Sequence, residues 1–194
     1  MKKLRYFALG IAALLISSCD DEDGFYNEKY VDAVNLVEIA AEPDYAVGDY
    51  IYVTADISRY LAEPGFDTPL DIYLTTNGAR GFVFSYILEK ETSAGVWQSV
   101  NSTEETMIIN AGTVQAGPYV LATAAYNAAN ERYQFNAGIP LATAGNYRLS
   151  FGVNSDATNE IELRSRTQGN NLFLNIISDT NQLNNQGYYT FTVN

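Results

Sequence analysis

The sequence predicts an all-β protein, built as an antiparallel two-sheet sandwich, and three observations carry that prediction. Short runs alternate apolar and polar side chains with the period of two that belongs to half-buried strands. Gly, Asn, Asp and Pro separate those runs and supply the backbone conformations of tight turns. Beyond the apolar run at the start of the chain, no long stretch repeats with the helical period.

Taken in order, residues 31–39 read as a first strand or a helical turn, and Gly48-Asp49 makes a turn. In 50–57, Ile51, Val53, Ala55 and Ile57 share one face, and Tyr50, Tyr52, Thr54 and Asp56 the other. Pro64-Gly65 and Pro69 mark a loop, 70–75 reads as a strand, and Asn77-Gly78 supplies the positive φ of a tight turn. Phe82, Phe84, Tyr86 and Leu88 then alternate against Val83, Ser85, Ile87 and Glu89. The connection Glu91-Thr92-Ser93-Ala94-Gly95 leads into 96–100, which completes a hairpin.

Further strands are expected at 107–110, 119–126 and 133–139. In 145–153, Tyr147, Leu149, Phe151 and Val153 face one way, and Arg148, Ser150 and Gly152 the other. Residues 161–166 and 172–178 flank the turn Gln168-Gly169-Asn170-Asn171, and 188–193 closes the chain. About nine or ten short antiparallel strands favour two packed sheets, with a closed barrel as the other way to bury their apolar faces. A membrane barrel would need an outward apolar band and aromatic girdles over many more segments.

One pattern recurs at unequal spacing: Gly48-Asp49-Tyr50, Gly117-Pro118-Tyr119, Gly145-Asn146-Tyr147 and Gly187-Tyr188-Tyr189. Unequal spacing excludes a repeat protein, and the pattern reads as Gly turning a corner so that Tyr enters a strand. In the third copy, Thr143-Ala144-Gly145-Asn146-Tyr147-Arg148-Leu149 resembles the tyrosine corner of immunoglobulin-like sandwiches. Residues 84–100 look like the paired middle strands of immunoglobulin-like domains in bacterial surface proteins. The resemblance implies that the Tyr147 hydroxyl bonds back to upstream backbone. Leu149 stands where antibody domains have cysteine, Thr143 stands where an acid is common, and Trp97 falls on the later strand of its hairpin. These departures imply a sandwich without an antibody-type core.

The first twenty-three residues carry an address. Lys2, Lys3 and Arg5 precede an uncharged apolar run from 7 to 16, the layout of a secretory signal and too short to span a bilayer. The run ends in Leu15-Ile16-Ser17-Ser18-Cys19, which resembles the lipobox of bacterial lipoproteins. The resemblance implies a signal peptide of 1–18, cleavage before Cys19 and acyl chains on that cysteine, which together hold a protein at a membrane. Asp20-Asp21-Glu22-Asp23 then opens a solvated tether over 19–30, followed by a β domain over 31–194. The acidic run is similar to the surface-export signal of Bacteroidota lipoproteins and implies an outer-membrane anchor facing the cell surface. Under the enterobacterial rule, an Asp directly after the cysteine implies retention at the inner membrane.

Composition narrows the chemistry. Three of the 11 basic residues fall in 1–18, so the chain from Cys19 onward carries 8 basic against 23 acidic side chains, a formal charge of −15. That charge repels nucleic acid and anionic headgroups. The sequence contains no His and a single Cys, which removes His-based nucleophile systems, His-ligated zinc, disulfides and thiolate metal sites. No cofactor is expected. Glu104-Glu105 would point to opposite faces of a strand and do not pair as acid and base.

The candidate ligand-binding side chains are Tyr50, Tyr52 and Trp97, an aromatic platform for sugar rings or a peptide, although tyrosine also serves strands structurally. Asn154-Ser155-Asp156 with Asn159-Glu160, and Asp179-Thr180-Asn181 with Asn184-Asn185, gather oxygen donors without the EF-hand spacing for calcium. Arg164 and Arg166 are expected to balance local carboxylates. The function expected is a non-catalytic binding or structural module of the cell envelope. Its partners would be the membrane through Cys19 and an envelope protein or glycan. The alternatives are a carbohydrate-binding module and a carboxylate-based hydrolase of extracellular glycans.

Overall fold

The computed structural model describes residues 27–152, 159–166 and 172–194. The signal, the lipobox and most of the tether fall in 1–26, outside the described residues, as do Val153 and Asn154 to Asp156. Among the described residues the chain is all-β, with one short helix.

The ambiguous stretch at 31–39 forms two strands, β1 (Asn27–Val34) and β2 (Val37–Ala40). Asn35 separates them at φ 53, a left-handed conformation that Asn tolerates better than most residues. Next come β3 (Tyr50–Ser58), β4 (Tyr60–Leu61) and β5 (Leu70–Asp71). The expected strand at 70–75 stops after two residues and turns into the helix α1 (Ile72–Thr75). Asp71 is the cause: its carboxylate accepts from the Leu74 N–H at 3.0 Å, an N-cap that a strand cannot use.

The long strand β6 (Gly81–Ser93) organises the rest. It is followed by β7 (Val96–Ser99), β8 (Ile108–Ala111), β9 (Thr113–Gln115) and β10 (Val120–Asn127). The chain ends with β11 (Arg132–Pro140), β12 (Gly145–Phe151), β13 (Glu160–Ser165), β14 (Leu172–Asp179) and β15 (Tyr189–Val193). Instead of two antiparallel sheets, thirteen strands join in one sheet along the order β1-β14-β13-β6-β10-β11-β3-β2, with the other five branching from it, β1 and β14 running parallel, and β4-β5 forming a separate ribbon.

The branching follows from the length of β6. Its first half pairs with β10 and β13, and its second half with β7 and β12. A second fork opens between β10 and β11, which pair only at 125–127 with 132–134. Where they diverge, β9 pairs with β10 and β8 with β11. Gly112 makes the corner between β8 and β9 at φ +77, and a Cβ there would lie 2.4 Å from the Thr123 carbonyl oxygen. No side chain fits that corner, and the conformation favours glycine independently.

The sheet also curls. β1 and β2 stand at opposite ends of the strand order, yet Val34 and Val37 are three residues apart, which is at most about 11 Å. The edges therefore meet. Asn35 donates to the Asp179 carbonyl at 2.8 Å, and Leu36 donates to Ser178 Oγ at 3.0 Å.

The curl encloses the core. Ile51, Val53, Ala55 and Ile57 from β3, and Phe82, Phe84, Tyr86 and Leu88 from β6, are all buried as their alternation requires. Edge-to-face ring pairs join β6 to β11 inside the curl: Phe82 with Tyr133 at 4.8 Å and Phe84 with Phe135 at 5.3 Å. Such pairs contribute about 0.5–1.5 kcal/mol each beyond their buried area. α1 plugs one end, where Ile72 is buried and Tyr73 stacks on Tyr126 at 4.5 Å. At this α1 end lie the starts of β1, β6, β11 and β14 and the ends of β3, β10 and β13.

Candidate functional site

Tyr50 and Tyr52 project from the outer face of β3 because the inner positions between and beyond them hold Ile51 and Val53. Their ring centroids are 6.2 Å apart. They border a recess of about 390 Å³ whose other lining residues are Glu42, Asp44, Tyr45, Gly48 and Asp49. Gly48 holds the rim open at φ +100, with nothing within 4 Å of where its Cβ would stand.

Part of this wall has a structural task. Tyr52 lies over Gly138 on β11, where an added Cβ would come within 2.7 Å of its ring, so the phenol covers backbone that has no side chain of its own. Tyr45 is buried; its hydroxyl accepts from the Glu42 N–H at 3.1 Å, and burial pushes its pKa up to about 12. The Asp49 carboxylate accepts from the Ala46 N–H at 2.7 Å, which fixes the turn. The Tyr50 face and the Glu42 and Asp44 carboxylates complete the lining, and none of the seven residues is basic. Such a surface stacks on a ring and accepts hydrogen bonds from hydroxyl or ammonium groups.

Trp97 stands elsewhere. It lies on β7, beside the second half of β6, whereas β11 and β10 separate β3 from the first half. The Arg148 guanidinium sits 4.5 Å from the Trp97 ring and 4.1 Å from the Tyr188 ring, and its Nε donates to Glu89 at 2.6 Å. The two aromatic rings hold one arginine that a carboxylate neutralises. The structure thus brings Tyr50 and Tyr52 together and places Trp97 in a separate stack.

The two Asn/Asp clusters converge in part. Asn159, Asp179, Thr180 and Asn181 line a second recess of about 420 Å³ with Val34 and Asn35. Asn184 is occupied locally, because its Oδ1 accepts from the Gln186 and Tyr188 N–H groups. Among the described residues, no group of three or more His, Cys, Asp or Glu is placed to hold a metal ion. Arg164 pairs with Glu28 at 2.9 Å, the balancing role expected of it.

Glu42, Asp44 and Asp49 were not singled out in the sequence. Their signal was present in the acids flanking Pro43 and in the Gly48-Asp49 turn, but only the strand register places them beside Tyr50. Tyr147 behaves as the corner resemblance implies: its hydroxyl donates to the Thr143 carbonyl at 2.7 Å. No family model, no curated protein and no solved structure matches the chain.

Proposed function

We propose that the chain is a bacterial lipoprotein of the outer membrane, anchored at the cell surface through lipidated Cys19 and carrying a non-catalytic binding module. The lipobox-like Leu15-Ile16-Ser17-Ser18-Cys19 and the acidic run after it support the anchor. Among the described residues no helix is long and apolar enough to cross a membrane. The module is an elaborated immunoglobulin-like sandwich whose two layers share β6, a reading supported by the corner bond from Tyr147 to Thr143.

The observation that carries the binding reading is the recess that Tyr50 lines together with Glu42 and Asp44. Its ligand is a hydroxyl-rich glycan or a basic segment of an envelope protein, since either offers donors to carboxylates and a face or chain to pack on a phenol. The test compares glycan-array and membrane pull-down binding of the chain with Tyr50→Ala and Asp44→Asn variants. Tyr52 is left intact because it covers Gly138. Loss of binding at an unchanged melting temperature supports the reading. Unchanged binding, or turnover of a glycan by the isolated protein, overturns it.

A further inference from the structure

We infer that the α1 end of the domain rests on the lipid surface that holds its anchor, with Phe66 in the headgroup layer. The inference rests on the reading of Cys19 as lipidated. Its first support is where the anchor joins the domain. β1 begins at Asn27, and Lys29 Nζ lies 3.1 Å from Glu63 Oε1. Phe66 N–H donates to the Glu63 carbonyl at 3.1 Å, so the apex of this loop stands beside the emerging chain. Cys19 is eight residues before Asn27, a reach of at most about 29 Å. A tether this short keeps the α1 end nearest the bilayer.

Exposed apolar bulk concentrates at the same end. Phe66 and Leu74 are each 67% exposed, Tyr30 59% and Tyr60 47%, and all four belong to the start of β1 or to the segment around β4, β5 and α1. Among the described residues, the other large hydrophobic side chains with more than about two-fifths exposure are valines: Val34, Val47 and Val96. Aromatic rings and leucine are the side chains that gain most from leaving water at a membrane boundary.

Charge points the same way. Of the eight basic residues from Asn27 onward, Lys29, Arg59, Arg80, Arg132, Arg164 and Arg166 stand at strand ends that reach the α1 end. Glu63, Asp71, Glu131, Asp56 and Glu28 pair with them. Counted over the described residues, this end is close to neutral on a strongly acidic chain, so it is the face of the domain that headgroup phosphates repel least. Arginine and lysine stems also cover apolar surface while their charges reach phosphate.

The test uses the full-length chain, labelled with palmitate in cells and reconstituted in phosphatidylcholine–phosphatidylethanolamine vesicles. Against a Trp97→Phe background, Phe66→Trp and Val96→Trp place a single fluorophore at the α1 end and at the far β6–β7 turn. Brominated acyl chains should quench the Phe66→Trp probe roughly twofold, as for a ring held about 5–10 Å into the headgroup boundary, and leave the Val96→Trp probe unchanged. In the unsubstituted chain, amide exchange over 62–75 should slow on vesicles relative to the Cys19→Ala protein in solution. Palmitate incorporation with neither probe quenched, with both quenched equally, or with unchanged exchange overturns the docking and leaves the anchor standing. Absence of palmitate overturns both.

Discussion

Gln182 closes the free edge of β2 by bonding both backbone groups of Ile39: Oε1 accepts the Ile39 N–H at 2.7 Å, and Nε2 donates to the Ile39 carbonyl at 2.7 Å. A side-chain amide thus substitutes for a strand on an edge that otherwise offers a template to another chain. Gln182→Ala removes both bonds at once. At about 0.5–1.5 kcal/mol per bond, a loss of roughly 1–3 kcal/mol is expected in urea unfolding. Sedimentation should also show more self-association than in the parent.

Gly112 and Gly95 share φ +77 but differ in their surroundings: a Cβ at Gly112 meets the Thr123 carbonyl oxygen at 2.4 Å, whereas one at Gly95 meets nothing within 4 Å. Gly95→Ala therefore carries only the left-handed strain, about 1 kcal/mol. Gly112→Ala adds a backbone clash that forces β8 and β9 out of the fork, and its cost should exceed about 3 kcal/mol. Equal melting temperatures for the two variants would refute this account of the fork.

Tyr147 ties the start of β12 to the preceding loop through the 2.7 Å bond to Thr143, while Lys90 donates to Thr143 Oγ1 at 2.6 Å and lies 5.5 Å from the Tyr147 ring centroid. Tyr147→Phe keeps the ring and removes the hydroxyl. The expected loss is about 1 kcal/mol, with the packing of Phe191 against the ring retained. Tyr86 offers the contrast. Among the described residues its buried hydroxyl has no protein partner, so Tyr86→Phe should unfold at the same urea concentration as the parent or higher. Calorimetry of the two variants side by side separates the roles.

The pH profile should be flat in the middle and fall at both ends, because the sequence has no His to titrate near neutrality. On the acid side, the Arg59 guanidinium, followed by the Leu74 N–H, holds the Asp71 carboxyl below its usual 3.8. A folded pKa below the unfolded one contributes stability that is present above the unfolded value and lost as pH falls through the folded one. Asp71→Asn should therefore lower the melting temperature at pH 7, with the difference shrinking below pH about 4. On the alkaline side, burial raises the pKa of Tyr45 to about 12 and pushes those of Tyr86 and Tyr133 up as well. Stability from these neutral phenols is present below about pH 10 and lost as pH rises toward their folded values. Their 295 nm absorbance should rise together with unfolding. Separate titration of each phenol in the folded protein would contradict this.

Period-two alternation made β3, β6, β10, β11 and β12 legible, since each buries one face and leaves the other wetter, and the Tyr50–Tyr52 half of the site came with β3. α1 was not legible, because the apolar pattern of 70–75 suits a strand and only the Asp71 cap decides otherwise. β8 and β9 bend about a glycine whose need lies in strands distant in sequence. Trp97 looked like a partner of Tyr50 and Tyr52, but alternation gives the facing of a side chain and not the order of strands.

By itself the sequence determined that the domain is β, which side chains face its interior and where most of its turns fall, because those properties depend on neighbours within a few residues. It also limited the chemistry, through the absence of His and the excess of carboxylates. The tertiary structure decided that one long strand, β6, is shared across the fold, that the sheet curls until β1 and β2 meet, and that Gln182 covers Ile39. It also decided that Tyr50 shares a recess with Glu42 and Asp44 while Trp97 holds Arg148. Register and strand order arise from hydrogen bonds between segments far apart in the chain, so no local pattern encodes them.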